Sequence, residues 1–193
     1  MSTPIQIGIT GGIGSGKSIV SHILRIMQSP VYDTDSQAKI LMDTPTMRQA
    51  LVAQWGNNII LPNGGLNRQQ LAQIVFNDST QLATLNSIVH PAVRQHYAQW
   101  VQEQHSPIVF VESAILHHAH MDTTLQHIWI VQADSETRIE RVMQRNNLSR
   151  QEVEARIASQ QEPPIDNRTH IINNNTNQAI LSQIMQLLNE VLT

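Results

Sequence analysis

Between Gly11 and Ser18 the chain reads GGIGSGKS, which satisfies the spacing G-x-x-x-x-G-K-[S/T]. Each residue type at that spacing has a chemical use. Glycine at positions 11, 14 and 16 lets the backbone take positive φ and turn successive N–H groups inward, where they surround phosphate oxygens. Lys17 adds a mobile positive charge for β- and γ-phosphates, and the Ser18 hydroxyl can ligate Mg²⁺. The backbone of Gly12, Ile13, Gly14, Ser15 and Gly16, with Lys17 and Ser18, is therefore expected to hold a nucleoside triphosphate.

A second set of chemical groups follows in VYDTD, where Asp33 and Asp35 are separated by one residue. A carboxylate here can accept the proton of a hydroxyl attacking the γ-phosphate, or hold Mg²⁺ through water. In extended backbone the two side chains point opposite ways, so only one faces the phosphates easily. Asp35 directly precedes a helical run from Ser36 and is expected to cap it, which leaves Asp33 for chemistry.

The elements that must position these groups are legible in the hydrophobic periodicity. IQIGIT (5–10) is a short apolar, β-branched run ending at the glycines, followed by a helical pattern over 16–28. Glycine loop between strand and helix is the context that distinguishes a phosphate-binding loop from a chance match. Strands are further expected at 30–33, 107–112, 127–131 and 170–173, and helices at 36–42, 46–54, 79–89, 91–104 and 177–192. Asn67 with Gln70 and Ser149 with Glu152 have the spacing of helix N-caps, Asp134 is a further cap, and Pro91 is expected to open a helix of its own. Ile139, Val142 and Met143 share one helical face, while Arg138, Arg141 and Arg145 recur on the other. Short buried strands alternating with helices imply a parallel sheet, with ligands at the carboxyl ends of its strands.

Bulk properties narrow the function. The 193 residues are 40% hydrophobic, enough for one substantial core, and the charged fraction of 14% falls well below the roughly 25% of ordinary soluble chains. A net charge of −3 argues against a general nucleic-acid-binding role, so an anionic ligand must be held by local groups. The chain has no cysteine, which excludes disulfides, thiolate metal sites and cysteine nucleophiles. Neither a signal peptide nor a run of about 20 apolar residues is present, and a cytoplasmic protein is expected. A guanine-reading Asn-Lys-x-Asp is missing, which disfavours a nucleotide-dependent switch; another nucleoside or nucleotide kinase stays open at this level.

GITGGIGSGKS, YDTD, GGLNRQQLAQIVF, LNSIVHPAV, RIERVMQRNNLSRQEVEARIASQ and IINN together resemble the dephospho-coenzyme A kinase family of phosphate-loop small-molecule kinases. They run in the family's order from Gly8 to Asn174. The resemblance implies a three-layer α/β/α fold with a parallel five-stranded sheet in a single domain. The core is expected over about 1–59, 105–134 and 162–193, with a helical acceptor region at about 60–104 and a lid at about 135–161. It implies transfer of the ATP γ-phosphate to the ribose 3′-hydroxyl of dephospho-CoA, giving coenzyme A and ADP, with ATP and Mg²⁺ required. Asp33 matches the expected base, Arg68 and His90 the acceptor site, Arg141 and Asn174 the ATP site, and Arg145 the lid group meeting the transferring phosphoryl charge. Gln160 matches a family position without an assigned role. Where the family reads D-I-P-L-L-F-E this chain has ESAILHH, so Glu112 keeps a carboxylate for Mg²⁺ while His117 and His118 replace the aromatic and the final acid. HHAH invites a metal reading, but adjacent histidines cannot both face one ion on a regular helix, and a polar wall of the acceptor pocket is expected instead. No nucleic-acid or membrane partner is implied.

Overall fold

The computed structural model describes residues 3–175 and 178–192. The chain forms two compact units, one made of the residues up to Tyr32 together with those from Gln104 onward, the other Asp33–Glu103. The strands are β1 (Ile5–Thr10), β2 (Val31–Asp33), β3 (Ile108–Glu112), β4 (His127–Gln132) and β5 (Thr169–Asn173). The helices are α1 (Lys17–Ile26), α2 (Thr34–Met42), α3 (Pro45–Trp55), α4 (Arg68–Phe76), α5 (Ser79–Gln102), α6 (Ser135–Asn146), α7 (Arg150–Ala158) and α8 (Ile180–Leu192). Of the helical stretch expected at 177–192, Asn177 lies outside the described residues. No helix among the described residues is long and apolar enough to cross a membrane.

In the first unit the sheet runs β2-β3-β1-β4-β5, and β1 pairs in parallel with both β3 and β4. This is the parallel α/β class expected from the alternation of strands and helices. Continuous apolar runs suit it because the central strands are buried: Ile7, Ile9, Val109, Phe110, Val111, Ile128 and Trp129 have no measurable exposure. Val20 and Leu24 of α1 and Ile184 and Leu187 of α8 pack with Ile7, Ile9, Phe110 and Trp129 in one core. The Phe110 and Trp129 rings lie 5.3 Å apart, tilted by 55°. Ile139 and Val142 of α6 and Val153 of α7 form a smaller cluster that takes in Ile13 of the glycine loop. That cluster ties the loop to α6. Ser149 makes the expected capping box with Glu152. Asp134 stands at the start of α6 as expected but its side chain makes no capping bond; its backbone N–H donates instead to Asn175 Oδ1 (2.9 Å).

The second unit is helical. Leu51, Ile59, Leu66, Leu71 and Val75 form its core, and the Asn67 side chain caps α4 by accepting from the Gln70 N–H at 3.1 Å. The pair of helices expected over 79–89 and 91–104 is instead the single 24-residue α5, with Pro91 inside it. Proline removes the hydrogen bond to the Ser87 carbonyl and costs about 3 kcal/mol in a helix interior. Val89, Val93, Tyr97 and Val101 are buried along α5 on both sides of the proline, and burial of side chains this size contributes about 1.5–3 kcal/mol each. Burial therefore outweighs the break.

At the amino-terminal end of the sheet, His127 on β4 and His170 on β5 face each other, with Nδ1 of the first 3.2 Å from Nε2 of the second. Burial, with the neighbouring His170 charge, holds the His127 pKa below its ordinary value. The unfolded chain then binds a proton that the folded chain resists. Stability is expected to be complete above the ordinary histidine range, near pH 6.5, and to fall as pH drops from about 7 to 5. Denaturant unfolding at both pH values checks this, and His170→Gln should reduce the pH dependence; an unchanged slope would show the pair to be inert.

Candidate active site

The glycine loop leaves the carboxyl end of β1, the middle strand: the crossover after β1 runs past β3 to β2, and the one after β3 passes to β4 on the other side of β1. In open α/β sheets this switch point is where ligands bind. Gly16 takes a left-handed conformation (φ 98°) as the residue before α1, and it brings no side chain to cap the helix. The first amides of α1 and the helix dipole are thus available to an anion. Gly14 (φ 78°) has no room for a side chain, since a Cβ there would lie 2.6 Å from the Arg138 carbonyl oxygen. Gly14→Ala is expected to destabilise the protein by about 1–3 kcal/mol and to abolish ATP binding, as read by thermal unfolding with and without nucleotide.

Protein groups converge on this loop. Lys17 Nζ donates to the carbonyls of Gly11 (2.6 Å) and Gly12 (3.3 Å). Arg138 Nε donates to the Ile13 carbonyl (2.9 Å), and Gln160 Oε1 accepts from the Ile13 N–H (2.7 Å). Buried Asn174, just past β5, donates through Nδ2 to the Ser15 carbonyl (2.7 Å) and accepts at its own carbonyl from Arg141 Nη2 (3.0 Å). Asn174 therefore links the loop, the end of β5 and α6. Ser15 Oγ and Arg141 Nη1 are buried and have no hydrogen-bond partner in the protein. Buried donors are satisfied in nearly all proteins, so a pair of unpaired donors beside a glycine loop fits an anionic ligand rich in oxygens. A cleft of about 430 Å³ opens here, lined by Gly12, Ser15, Asp134, Arg138 and Gln160 among others, within the usual range for small-molecule sites.

The remaining candidates are distributed as follows. Ser18 is exposed in the first turn of α1, and Glu112 ends β3, where the register pairs it with Ile9, two residues before Gly11. The loop, Glu112, Arg141 and Asn174 thus belong to one end of the sheet. Arg145 is exposed and its Nε donates to Asn146 Oδ1 (2.8 Å), whereas Arg138, from the same helix face, turns onto the loop. In the second unit Arg68 opens α4, donates through Nη2 to the Lys39 carbonyl (2.7 Å) and pairs with Asp43. His90 is half-buried within α5.

Asp33, the last residue of β2, corrects the capping expectation. It is Asp33, not Asp35, that caps α2: Oδ1 accepts from the N–H groups of Asp35 (3.1 Å) and Ser36 (3.2 Å), and Oδ2 from Ser36 Oγ (2.7 Å). The helix begins at Thr34, two residues earlier than periodicity suggested, because the strand ends in a carboxylate able to satisfy the first amides. A cap and a base are not exclusive roles. The same hydrogen bonds fix the carboxylate's direction while leaving lone pairs on both oxygens.

Gln160 and Arg138 were not assigned from sequence. Gln160 stands just beyond α7, where no periodicity marks it, and Arg138 differs from Arg141 and Arg145 only in its direction, which spacing does not encode. No group of three or more possible metal ligands occurs among the described residues, His117, His118 and His120 included.

A sequence model of the dephospho-CoA kinase family matches residues 5–179. A Bacteroides fragilis dephospho-CoA kinase is 37% identical over 188 residues, covering 95% of this chain and 91% of its own. A Porphyromonas gingivalis dephospho-CoA kinase is 42% identical over 158 residues, 81% of this chain and 78% of its own. Among solved structures, a Thermus thermophilus protein superposes with a TM-score of 0.83 at 32% identity over the full length of both chains. A Campylobacter jejuni dephospho-CoA kinase, at 22% identity and a TM-score of 0.69 over 96% of both chains, shares the fold. The match of nearly the whole chain to the family model, together with these relatives, shows that this chain belongs to the dephospho-CoA kinase family.

Proposed function

We propose that this chain transfers the γ-phosphate of ATP to the ribose 3′-hydroxyl of dephospho-CoA, releasing coenzyme A and ADP as the last step of coenzyme A biosynthesis in the cytoplasm. The observation that carries the reading is the glycine loop at the end of β1, with Lys17 and the unpaired donors of Ser15 and Arg141 beside it, in a member of this family. The loop amides from Gly12 to Gly16, Lys17, Arg141 and Asn174 hold the triphosphate end of ATP. Planar guanidinium groups suit charge spread over phosphoryl oxygens, and Arg145 supplies another when the segment 135–161 closes as a lid. Closure also excludes water, which otherwise competes as the acceptor. Asp33 accepts the proton of the 3′-hydroxyl as its oxygen attacks the γ-phosphorus, and the bond to the β–γ bridging oxygen breaks to release ADP. Arg68 and His90 belong to the acceptor side, in the helical region 60–104, and the whole chain works as one kinase domain.

Ser18 and Glu112 fit a magnesium site in their chemistry, a hydroxyl and a carboxylate at the same sheet end and no soft ligand among them. Bound there, Mg²⁺ neutralises charge on the β- and γ-phosphates. A coupled ADP-release assay with dephospho-CoA beside adenosine and nucleoside monophosphates tests the assignment. Strong preference for dephospho-CoA is expected; equal or better rates with a nucleoside or nucleotide would replace it.

A further inference from the structure

Ile13 of the glycine loop is held at three points, all within the first unit. Its side chain packs into the cluster of Ile139, Val142 and Val153 on α6 and α7. Its carbonyl accepts from Arg138 Nε (2.9 Å), and its N–H donates to Gln160 Oε1 (2.7 Å). The first two anchors fix where the residue sits, and neither uses an atom that an anion would seek. The third does. A phosphate oxygen and the Gln160 amide oxygen are both acceptors, and the backbone offers them one N–H.

The segment that carries Gln160 is held by little else. Its own N–H donates to the Ile157 carbonyl near the end of α7 (3.2 Å), and residues 161–165 make no hydrogen bond to any described residue. Ile165 is 71% exposed. The chain is tied down again at Asp166, whose N–H donates to Thr169 Oγ1 (3.0 Å). Gln160 lines both the 430 Å³ cleft and a smaller cavity of about 110 Å³ beside Thr10, Gly11 and Gly12. Its side chain is therefore a tether from a loosely held segment to the loop, with open space on both sides.

Lys17 indicates which phosphate would meet this amide. Its Nζ lies on the carbonyls of Gly11 and Gly12, the residues just before Ile13, and a loop lysine serves the β- and γ-phosphates. The amides at the start of α1, at the other end of the loop, suit the inner phosphates.

We propose that Gln160 is a terminal-phosphate sensor: in the nucleotide-free chain its amide oxygen occupies the Ile13 N–H, and the γ-phosphate of ATP displaces it. The inference rests on the nucleotide site of the reading above and not on the identity of the acceptor. ADP ends before Ile13 and leaves the tether in place, so residues 160–165 are released from the loop only when a transferable phosphate is bound. Arg138 keeps its bond throughout, because an anion does not compete for a carbonyl.

Calorimetric titration with ADP and with the β,γ-imido analogue of ATP, with magnesium present and no acceptor, tests this. Gln160→Ala and Gln160→Met both remove the competing oxygen and leave the Ile13 N–H to water. Each is expected to bind the ATP analogue about threefold to tenfold more tightly than the wild type, the net contribution of one neutral hydrogen bond, with ADP affinity unchanged. Gln160→Glu keeps an oxygen on the N–H and makes that bond charge-assisted, so it should bind the analogue more weakly than the wild type. Gln160 is exposed, and none of the three variants disturbs a packed core. Unchanged or weaker binding of the analogue by the alanine and methionine variants overturns the inference and makes Gln160 a strut of the loop or a direct nucleotide contact. An equal gain for ADP overturns it too, since the displaced contact would then lie at an inner phosphate. A wild type that binds neither nucleotide overturns the nucleotide site and this inference together. The expected pattern in a protein that does not phosphorylate dephospho-CoA upholds the sensor and overturns the acceptor assignment alone.

Discussion

Asp33→Asn is expected to lower kcat with dephospho-CoA by about a hundredfold to ten-thousandfold, the usual contribution of a general base, with ATP affinity retained. Asparagine is the informative substitution because it separates the residue's two duties. Its Oδ1 still accepts from the Asp35 and Ser36 N–H groups, and asparagine caps helices as well as aspartate, so α2 and the fold persist. Only the position facing Ser36 Oγ changes, and that hydroxyl can rotate to accept instead of donate. Asp33→Ala removes cap and base together and should add about 1 kcal/mol of destabilisation to the same catalytic loss. Single-turnover kinetics, nucleotide titration and denaturant unfolding on the two variants read the three effects apart. Lost ATP binding in Asp33→Asn with chemistry otherwise intact would make the residue a metal or structural group.

Lys17→Met is expected to cost at least a hundredfold to a thousandfold in kcat/KM, since it deletes the mobile charge that meets the developing phosphoryl charge. Methionine keeps most of the side chain's length and apolar stem. What the folded protein itself loses is the Nζ donation to the Gly11 and Gly12 carbonyls, a change of order 1 kcal/mol. The contrast lies in the ligand response. At ATP concentrations of about 100 Kd the wild type gains about 2.7 kcal/mol of stability, seen as a rise in Tm. The variant should show a small drop in its own Tm and lose nearly all of that rise at the same ATP concentration. An equal ligand-induced rise in both proteins would assign triphosphate binding to the backbone amides alone.

The elements that carry Lys17 and Asp33 are legible because strand, glycine loop and helix each leave a local signature; that Asp33 would cap α2 is not. The Asn67 and Ser149 caps are legible too, with donor and acceptor three residues apart in sequence. Legibility failed where the deciding interaction is remote or conformational. α5 continues through Pro91 because apolar residues on both sides of it are buried, and burial is a property of the assembled chain. Gln160 reaches Ile13 across 147 positions, and no local pattern predicts that contact. Three arginines at helical spacing look alike in sequence, yet one bonds the loop, one the end of β5 and one its own neighbour. The start of α2 differs from the periodicity for a smaller reason: two aspartates in three residues can each cap, and the one with extended backbone takes the role.

The contacts already made to the glycine loop also bear on the thermodynamics of nucleotide capture. The Ile13 amide is engaged by Gln160 and the Lys17 ammonium by two carbonyls, so a triphosphate exchanges existing hydrogen bonds for new ones. Exchange of like for like contributes little net enthalpy per bond, and the surplus comes from replacing neutral oxygens with charged ones. Affinity then follows charge more than the number of bonds, and rising ionic strength should weaken nucleotide binding more steeply than a tally of hydrogen bonds suggests.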